Sequence, residues 1–212
     1  GSSRGIGRAI ALAFAQEGAN VAISARTEGD LRRTEIELAR VGSQQHVLAI
    51  PADLSVARDI RRVVRDTFNR FGQIGILVTH IGYGPPGRPS EFNDDTIMTA
   101  LEENFLSAVR FAREVVPFMK QQRWGRIIHL LPSLGRSSAT GTALSTTSQM
   151  ALVGYSKMLA NELAPFNITV NNLVSGPVET DYLTGTFQSE AKETGRSFEE
   201  LMKEAVSSIP IG

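Results

Sequence analysis

Short apolar runs alternating with long helical periods constrain the fold of this chain more than any other feature. Val21–Ala25, Val47–Ala52, Ile76–His80, Arg126–Leu131 and Ile168–Leu173 read as strands. Between them lie segments with apolar residues at helical spacing. They run from about Ile6 to Gly18, Glu28 to Val41 (stripe Leu31, Ile36, Leu38), Val56 to Phe71 (Ile60, Val63, Val64, Phe68), Thr96 to Gln122 and Thr142 to Phe166. One further amphipathic helix is expected over Gln188 to Ser207. Strands without polar alternation are buried on both faces. Strands separated by long helices run parallel, with right-handed crossovers and helices on both sides. The expected class is α/β, a doubly wound, mostly parallel sheet in three layers, formed by one domain of 212 residues.

The chain opens Gly1-Ser2-Ser3-Arg4-Gly5-Ile6-Gly7 and passes straight into a helix. Glycines there permit a tight turn and a close backbone approach to a pyrophosphate, which the helix N-terminus attracts. Taken alone, the pattern also fits a Gly/Ser-rich lead into an ordinary helix. With the alternating elements it points to a Rossmann-type dinucleotide site. Such a motif follows a strand that sits mid-sheet, and none of these residues supplies it. The sequence is therefore expected to be cropped, and the tail Ser208 to Gly212 gives the same expectation at the other end.

Composition removes several alternatives. Lys plus Arg and Asp plus Glu are both 22, so the net charge of zero gives no electrostatic case for nucleic acid or an anionic membrane. The absence of Cys rules out disulfides, thiolate nucleophiles and Cys-ligated zinc. No apolar run nears the roughly 18 residues of a membrane span, and the cytoplasm is the expected compartment. No His and carboxylate cluster has metal-ligand spacing, so no metal is expected.

The ordered motifs resemble the short-chain dehydrogenase/reductase family, closest to its β-ketoacyl-reductase-like branch, over essentially the whole chain. GSSRGIG resembles the family's glycine loop, with Gly1, Ser3, Arg4, Gly5, Ile6 and Gly7 as implied cofactor contacts. Asp53-Leu54 resembles the pair that meets the adenine. Asn104 resembles the helix Asn of the catalytic tetrad, and WGRII (Trp124–Ile128) the run into the catalytic Ser strand. LANELAP and ITVNN resemble the segment after the catalytic helix. SGPVET (Ser175–Thr180) resembles the segment beside the nicotinamide, which implicates Gly176 and Thr180, with Gly82 after the third strand. NAD enzymes usually carry an acid at the end of the second strand of the complete fold, whereas an Arg accommodates a 2′-phosphate. That strand here ends Ala25-Arg26-Thr27, and Arg4 lies in the loop, so NADP(H) is expected over NAD(H).

The resemblance also implies a loss. Counting back from LANELAP without a gap, the family's Tyr falls on Ser145, its Lys on Gln149 and its Ser on Pro132. Asn104 alone of the four is kept. Asn-Asn-Ala-Gly has become Thr79-His80-Ile81-Gly82, and Ser175 stands at a family Pro. An alkanol is far less acidic than a phenol, and an amide carries no charge to tune one. Ser133 adjoins the lost Ser, but neighbouring strand residues face opposite ways. Tyr155 and Lys157 do not substitute, because ten residues of helix carry Tyr155 about 15 Å from Ser145. Tyr83 and Tyr182 lie in loops that border the family's active site, and each reads either as loop packing or as a replacement acid. His80 and His129 read as core histidines. Ser145 as a nucleophile lacks a base at helical spacing.

Three functions follow from the resemblance. One is an oxidoreductase acting on a small carbonyl or alcohol with an impaired or altered site. The second is a non-catalytic NADP(H)-binding sensor or scaffold. The third is a structural subunit whose cofactor site is a relic. Small residues over Thr142 to Gly154 favour close helix approach, and similar proteins use these helices to associate, so a homodimer or homotetramer is expected.

Overall fold

In a computed structural model of the chain, residues 1–80, 82, 84, 87–132 and 143–207 are described. They form two compact units, Gly1–Val174 and Ser175–Gly212.

In the first unit, α1 (Gly5–Gln16) buries Ala11 and Ala15 against β1 (Val21–Ala25). Small residues there let the helix lie close to the strand. α2 (Glu28–Val41) leads to β2 (Val47–Pro51), which pairs in parallel with β1 from Val21–Val47 to Ala25–Pro51. The inward face of α2 is Leu31, Thr34 and Leu38, whereas Ile36 is exposed. The expected stripe is thus corrected at one position. Thr34 turns inward because its hydroxyl has a partner there, described below.

α3 (Ala57–Phe71) precedes β3 (Ile76–His80). After the Gly/Pro-rich loop come α4 (Asp94–Ala100), a turn of π-helix (Leu101–Leu106) and α5 (Ser107–Gln122), running without a break. The helix expected from Thr96 starts earlier because Asn93 caps it, its Oδ1 accepting the Thr96 N–H at 2.9 Å. The π-turn has no periodicity signal. β4 (Gly125–Pro132) pairs in parallel with β3 from Ile76–Arg126 to His80–Leu130. α6 (Ala143–Leu163) follows, and β5 (Ile168–Ser175) lies beside β4. The result is the expected three-layer, doubly wound, mostly parallel α/β/α fold. Its largest core joins Ile127, Ile168 and Val170 of the sheet to Val115 and Met119 of α5 and Leu163 of α6.

The strands fall into two sets, β1-β2 and β3-β4-β5. Between β1 and β3 lies a cavity of about 740 Å³. Its walls are both strands, Ile10 and Phe14 of α1, Val64 of α3, and Phe111 and Val115 of α5. This slot corrects the expectation that Ile76–His80 is buried. Ile76 is 42% exposed and His80 is exposed, because that side of β3 faces the slot rather than another strand.

In the second unit, α7 (Asp181–Thr194) and α8 (Phe198–Ser207) pack on each other. The helix expected over Gln188 to Ser207 is therefore two helices. Gly195, at φ 72°, ends α7 in the left-handed conformation that glycine adopts without steric cost. No helix among the described residues is long and apolar enough to cross a membrane.

Candidate functional site

The glycine loop folds back on itself before α1. A Cβ on Gly7 would stand 2.5 Å from the Gly1 carbonyl oxygen, so only glycine fits. The loop is tied to the sheet and to α2. The Ser2 N–H donates to the Ser24 carbonyl at 2.9 Å, and the Thr34 hydroxyl donates to the Ser3 carbonyl at 3.0 Å. Arg8 of α1 pairs with Glu37 of α2. Arg4 stands at the N-cap of α1 but makes no side-chain capping bond, and the first turn holds no acid. The first-turn N–H groups of α1 thus keep their partial positive charge for an external anion. Arg4 is exposed, and so is Arg26 just beyond β1.

Asp53 follows β2 and closes a tight turn. Its Oδ1 accepts from the Ser55 N–H (3.0 Å) and the Ser55 hydroxyl (2.7 Å). Asp59 Oδ2 accepts the Asp53 N–H at 3.0 Å. The Ser55 bonds, and then the nearby Arg26 guanidinium, hold the Asp53 carboxyl below its usual range despite some burial. Arg26 and Asp53 therefore share the mouth of the glycine loop. Leu54, half-buried, lines the slot beside them.

A second group of polar side chains lies where β3 ends and α6 begins. Asn104 is buried in the π-turn. Its Oδ1 accepts the Gly82 N–H at 3.0 Å, and its Nδ2 donates to the Ala100 carbonyl at 3.0 Å. Ser148 also reaches Ala100 O, at 3.4 Å, while its hydroxyl bonds Leu144 O at 3.0 Å. Ser145 and Gln149, one helical turn apart on α6, are 1% and 2% exposed. Gln149 Oε1 is buried with no hydrogen-bond partner among the described residues. The chain crosses this group closely, since a Cβ on Gly84 would meet Leu144 Cβ at 3.0 Å. Asn104, Ser145 and Gln149, distant in sequence, thus share one buried polar region, with Pro132 buried at the end of β4. Ser148 was not singled out from the sequence, although three residues after Ser145 it falls on the same helix face. Thr34 was also missed, because a polar residue lying between Leu31 and Leu38 gives no signal of an inward face.

The remaining candidates separate. Ser133 and Tyr83 lie outside the described residues. Gly176 and Thr180 belong to the second unit, where the Thr180 hydroxyl caps α7 by accepting the Leu183 N–H at 3.3 Å. Tyr182, in the first turn of α7, is exposed. Tyr155 packs edge-on against Phe105, and burial raises its phenol above the usual range. Lys157 is exposed. His129 is fully buried, its Nδ1 2.6 Å from Thr79 Oγ1, and desolvation lowers its pKa to about 4. It is the core histidine expected, although its Nε2 has no partner among the described residues. His80 is not, because it is exposed.

Ligands of open α/β sheets bind outside the carboxyl ends of the strands. The glycine loop, the Asp53 turn and the Asn104 group all stand at such ends. The 740 Å³ slot lies mainly between β1 and β3 and meets this site only at Gly1, Ser2, Gly7 and Leu54.

The chain is similar to D-β-hydroxybutyrate dehydrogenase of Cupriavidus necator, at 30% identity over 206 residues, 97% of this chain and 79% of that protein. Among solved structures it is similar to a variant of actinorhodin polyketide ketoreductase with NADPH (TM-score 0.90, 28% identity, 100% and 81% of the two chains). It is also similar to L-sorbose reductase of Gluconobacter frateurii in complex with NADPH and L-sorbose (TM-score 0.89, 29% identity, 98% and 79%). Residues 1–191 match the family described as short chain dehydrogenase, and the chain belongs to that family.

Proposed function

We propose that this oxidoreductase-family protein binds a nicotinamide dinucleotide, NADP(H) in preference to NAD(H). We further propose that it carries out carbonyl–alcohol chemistry of the β-ketoacyl-reductase type with weak or atypical turnover. The observation that carries the reading is the buried Ser145–Gln149 face beside Asn104. The loop and the site fit a dinucleotide on their own terms. Gly7 leaves room that a Cβ would fill, the first turn of α1 lacks a side-chain cap, and Gln149 Oε1 is a buried acceptor able to take a ribose hydroxyl. Arg4 and Arg26 would bind a 2′-phosphate, and the NADPH in the ketoreductase and sorbose reductase structures supports that choice. The bound dinucleotide would supply or accept the hydride. The protein's part would be to hold the carbonyl near Ser145 and Asn104.

None of Asn104, Ser145, Ser148 and Gln149 carries a group that ionises near neutral pH. General acid–base help is worth about 10²–10⁴-fold, so its loss slows a reductase without abolishing it. The same observation favours a second reading, a non-catalytic NADP(H)-binding or regulatory protein. Titration with NADPH followed by nicotinamide fluorescence, with NADH as control, tests the cofactor site. Saturation by NADPH at lower concentration than NADH is expected, and no binding of either at millimolar concentration would sink both readings. Ser145→Tyr combined with Gln149→Lys then separates them. A gain in NADPH-dependent carbonyl reduction supports the impaired reductase, and no gain supports the non-catalytic binder.

A further inference from the structure

We propose that Arg110 is a positioning residue that locks the Asp53–Ser55 turn and the π-turn carrying Asn104 into one frame. Arg110 lies on α5, and its side chain is 19% exposed. One guanidinium nitrogen, Nη1, donates to the Ser55 carbonyl at 2.9 Å and also to Glu102 Oε1. The two acceptors belong to different parts of the fold. Ser55 closes the turn after β2, where Asp53 Oδ1 holds both its N–H and its hydroxyl. Glu102 lies in the π-turn, two residues before Asn104, whose side chain spans Gly82 N–H and Ala100 O.

The bonds therefore run without a gap from Asp59 through Asp53, Ser55, Arg110 and Glu102 to the backbone turn that aims Asn104. The arrangement answers a physical need. A π-turn is a strained insertion in a helix and is often found at functional sites, so its conformation needs external support. The turn after β2 is a loop, held by few contacts of its own. A planar guanidinium loses little freedom per bond formed, and partial burial reduces screening of its pairing with Glu102. The consequence for ligands rests on the dinucleotide reading, under which the Asp53 turn meets the adenine half of the cofactor and Asn104 stands beside the substrate at its reacting half. Arg110 would then fix the spacing between those halves. The frame itself does not depend on that reading.

Hydrogen exchange of the ligand-free protein tests the frame with Glu102→Gln, Arg110→Met, the double variant and Arg110→Lys. Glu102 makes no bond to the 53–55 turn, so a purely local role for each bond leaves that turn unaffected by Glu102→Gln. The frame predicts that Glu102→Gln speeds exchange at 53–56 by about three- to ten-fold with the melting temperature unchanged. Arg110→Met is expected to speed both 53–56 and 101–106, the double variant to be no worse than Arg110→Met, and Arg110→Lys to restore part of the protection. Affinity for 2′,5′-ADP, which spans the adenine half alone, is expected to fall by a similar factor in Glu102→Gln. Unchanged exchange at 53–56 in Glu102→Gln, or additive effects in the double variant, would overturn the proposal. If the unaltered protein binds neither NADPH nor 2′,5′-ADP, the dinucleotide reading fails and the exchange result still decides the frame.

Discussion

At the scale of single residues, the clearest consequences concern Gly7, Thr34 and His129, each with one demanding feature of its surroundings. Gly7 packs so tightly on Gly1 O that Gly7→Ala must open the loop. Dinucleotide affinity should fall by at least about ten-fold in a fluorescence titration, while circular dichroism stays unchanged. Thr34 holds the Ser3 carbonyl from α2. Thr34→Val keeps the shape and removes the donor, so NADPH affinity should drop by roughly five-fold, the worth of about 1 kcal/mol, and Thr34→Ser should keep most of it. His129 is buried in its neutral form, with its pKa lowered from 6.5 to about 4 by desolvation. Between those values the unfolded chain takes up a proton that the folded one refuses, so stability falls as pH drops from 6.5 towards 4. The loss is bounded at roughly 3 kcal/mol. His129→Asn should flatten the fall of melting temperature over that window, and an identical pH profile would remove His129 from the account.

At the scale of elements, α6 does two jobs on two faces. Its inner face buries Ser145, Ser148, Leu152, Ser156 and Leu159, with Ser156 bonded to Asn172 of β5 at 3.0 Å. Its outer face shows Met150, Gly154 and Met158 at four-residue spacing, with the two methionines 52% and 67% exposed. Two long apolar side chains flanking a glycine form a surface on which another helix can lie closely. Sedimentation of the unaltered protein should give a dimer or tetramer, and Met150→Glu with Met158→Glu should shift it to monomer. A monomer before substitution would contradict this association. The spacing of α6 was readable because an uninterrupted helix repeats every 3.6 residues. The π-turn before α5 was not, because it is held from Gly82, which bonds Asn104, and, through Arg110, from Ser55, both far away in sequence.

At the scale of the whole molecule, the open slot is the dominant feature. β1 and β3 face it from opposite sides with five residues each, long enough for one strand of about 16 Å between them. At one end of it the Ser2 N–H donates a single backbone bond to the Ser24 carbonyl at 2.9 Å. A five-residue Val/Ile strand joined directly before Gly1 should raise the melting temperature by about 10 °C over a Gly/Ser extension of equal length. Amide exchange should slow along Val21–Ala25 and Ile76–His80. Equal melting temperatures for the two extensions would show that the slot is filled in another way.

The alternation of apolar runs and helical periods determined the class of fold by itself, because strand and helix periodicities are local and each strand must bury its faces. Motif order marked the glycine loop, and the family resemblance, counted along the chain, put its Tyr and Lys positions on Ser145 and Gln149. Tertiary structure alone decided which of these meet. Thr34 reads as a gap in an apolar stripe until Ser3 is seen above it, and His80 reads as a core residue until the slot beside β3 is seen. Nothing in the sequence marks Arg110, whose role shows only where Ser55 and Glu102 converge on it. Ser3 lies 31 residues from Thr34 and Ser55 lies 55 from Arg110, too far along the chain for periodicity to connect them, and only the folded backbone brings them within bonding distance.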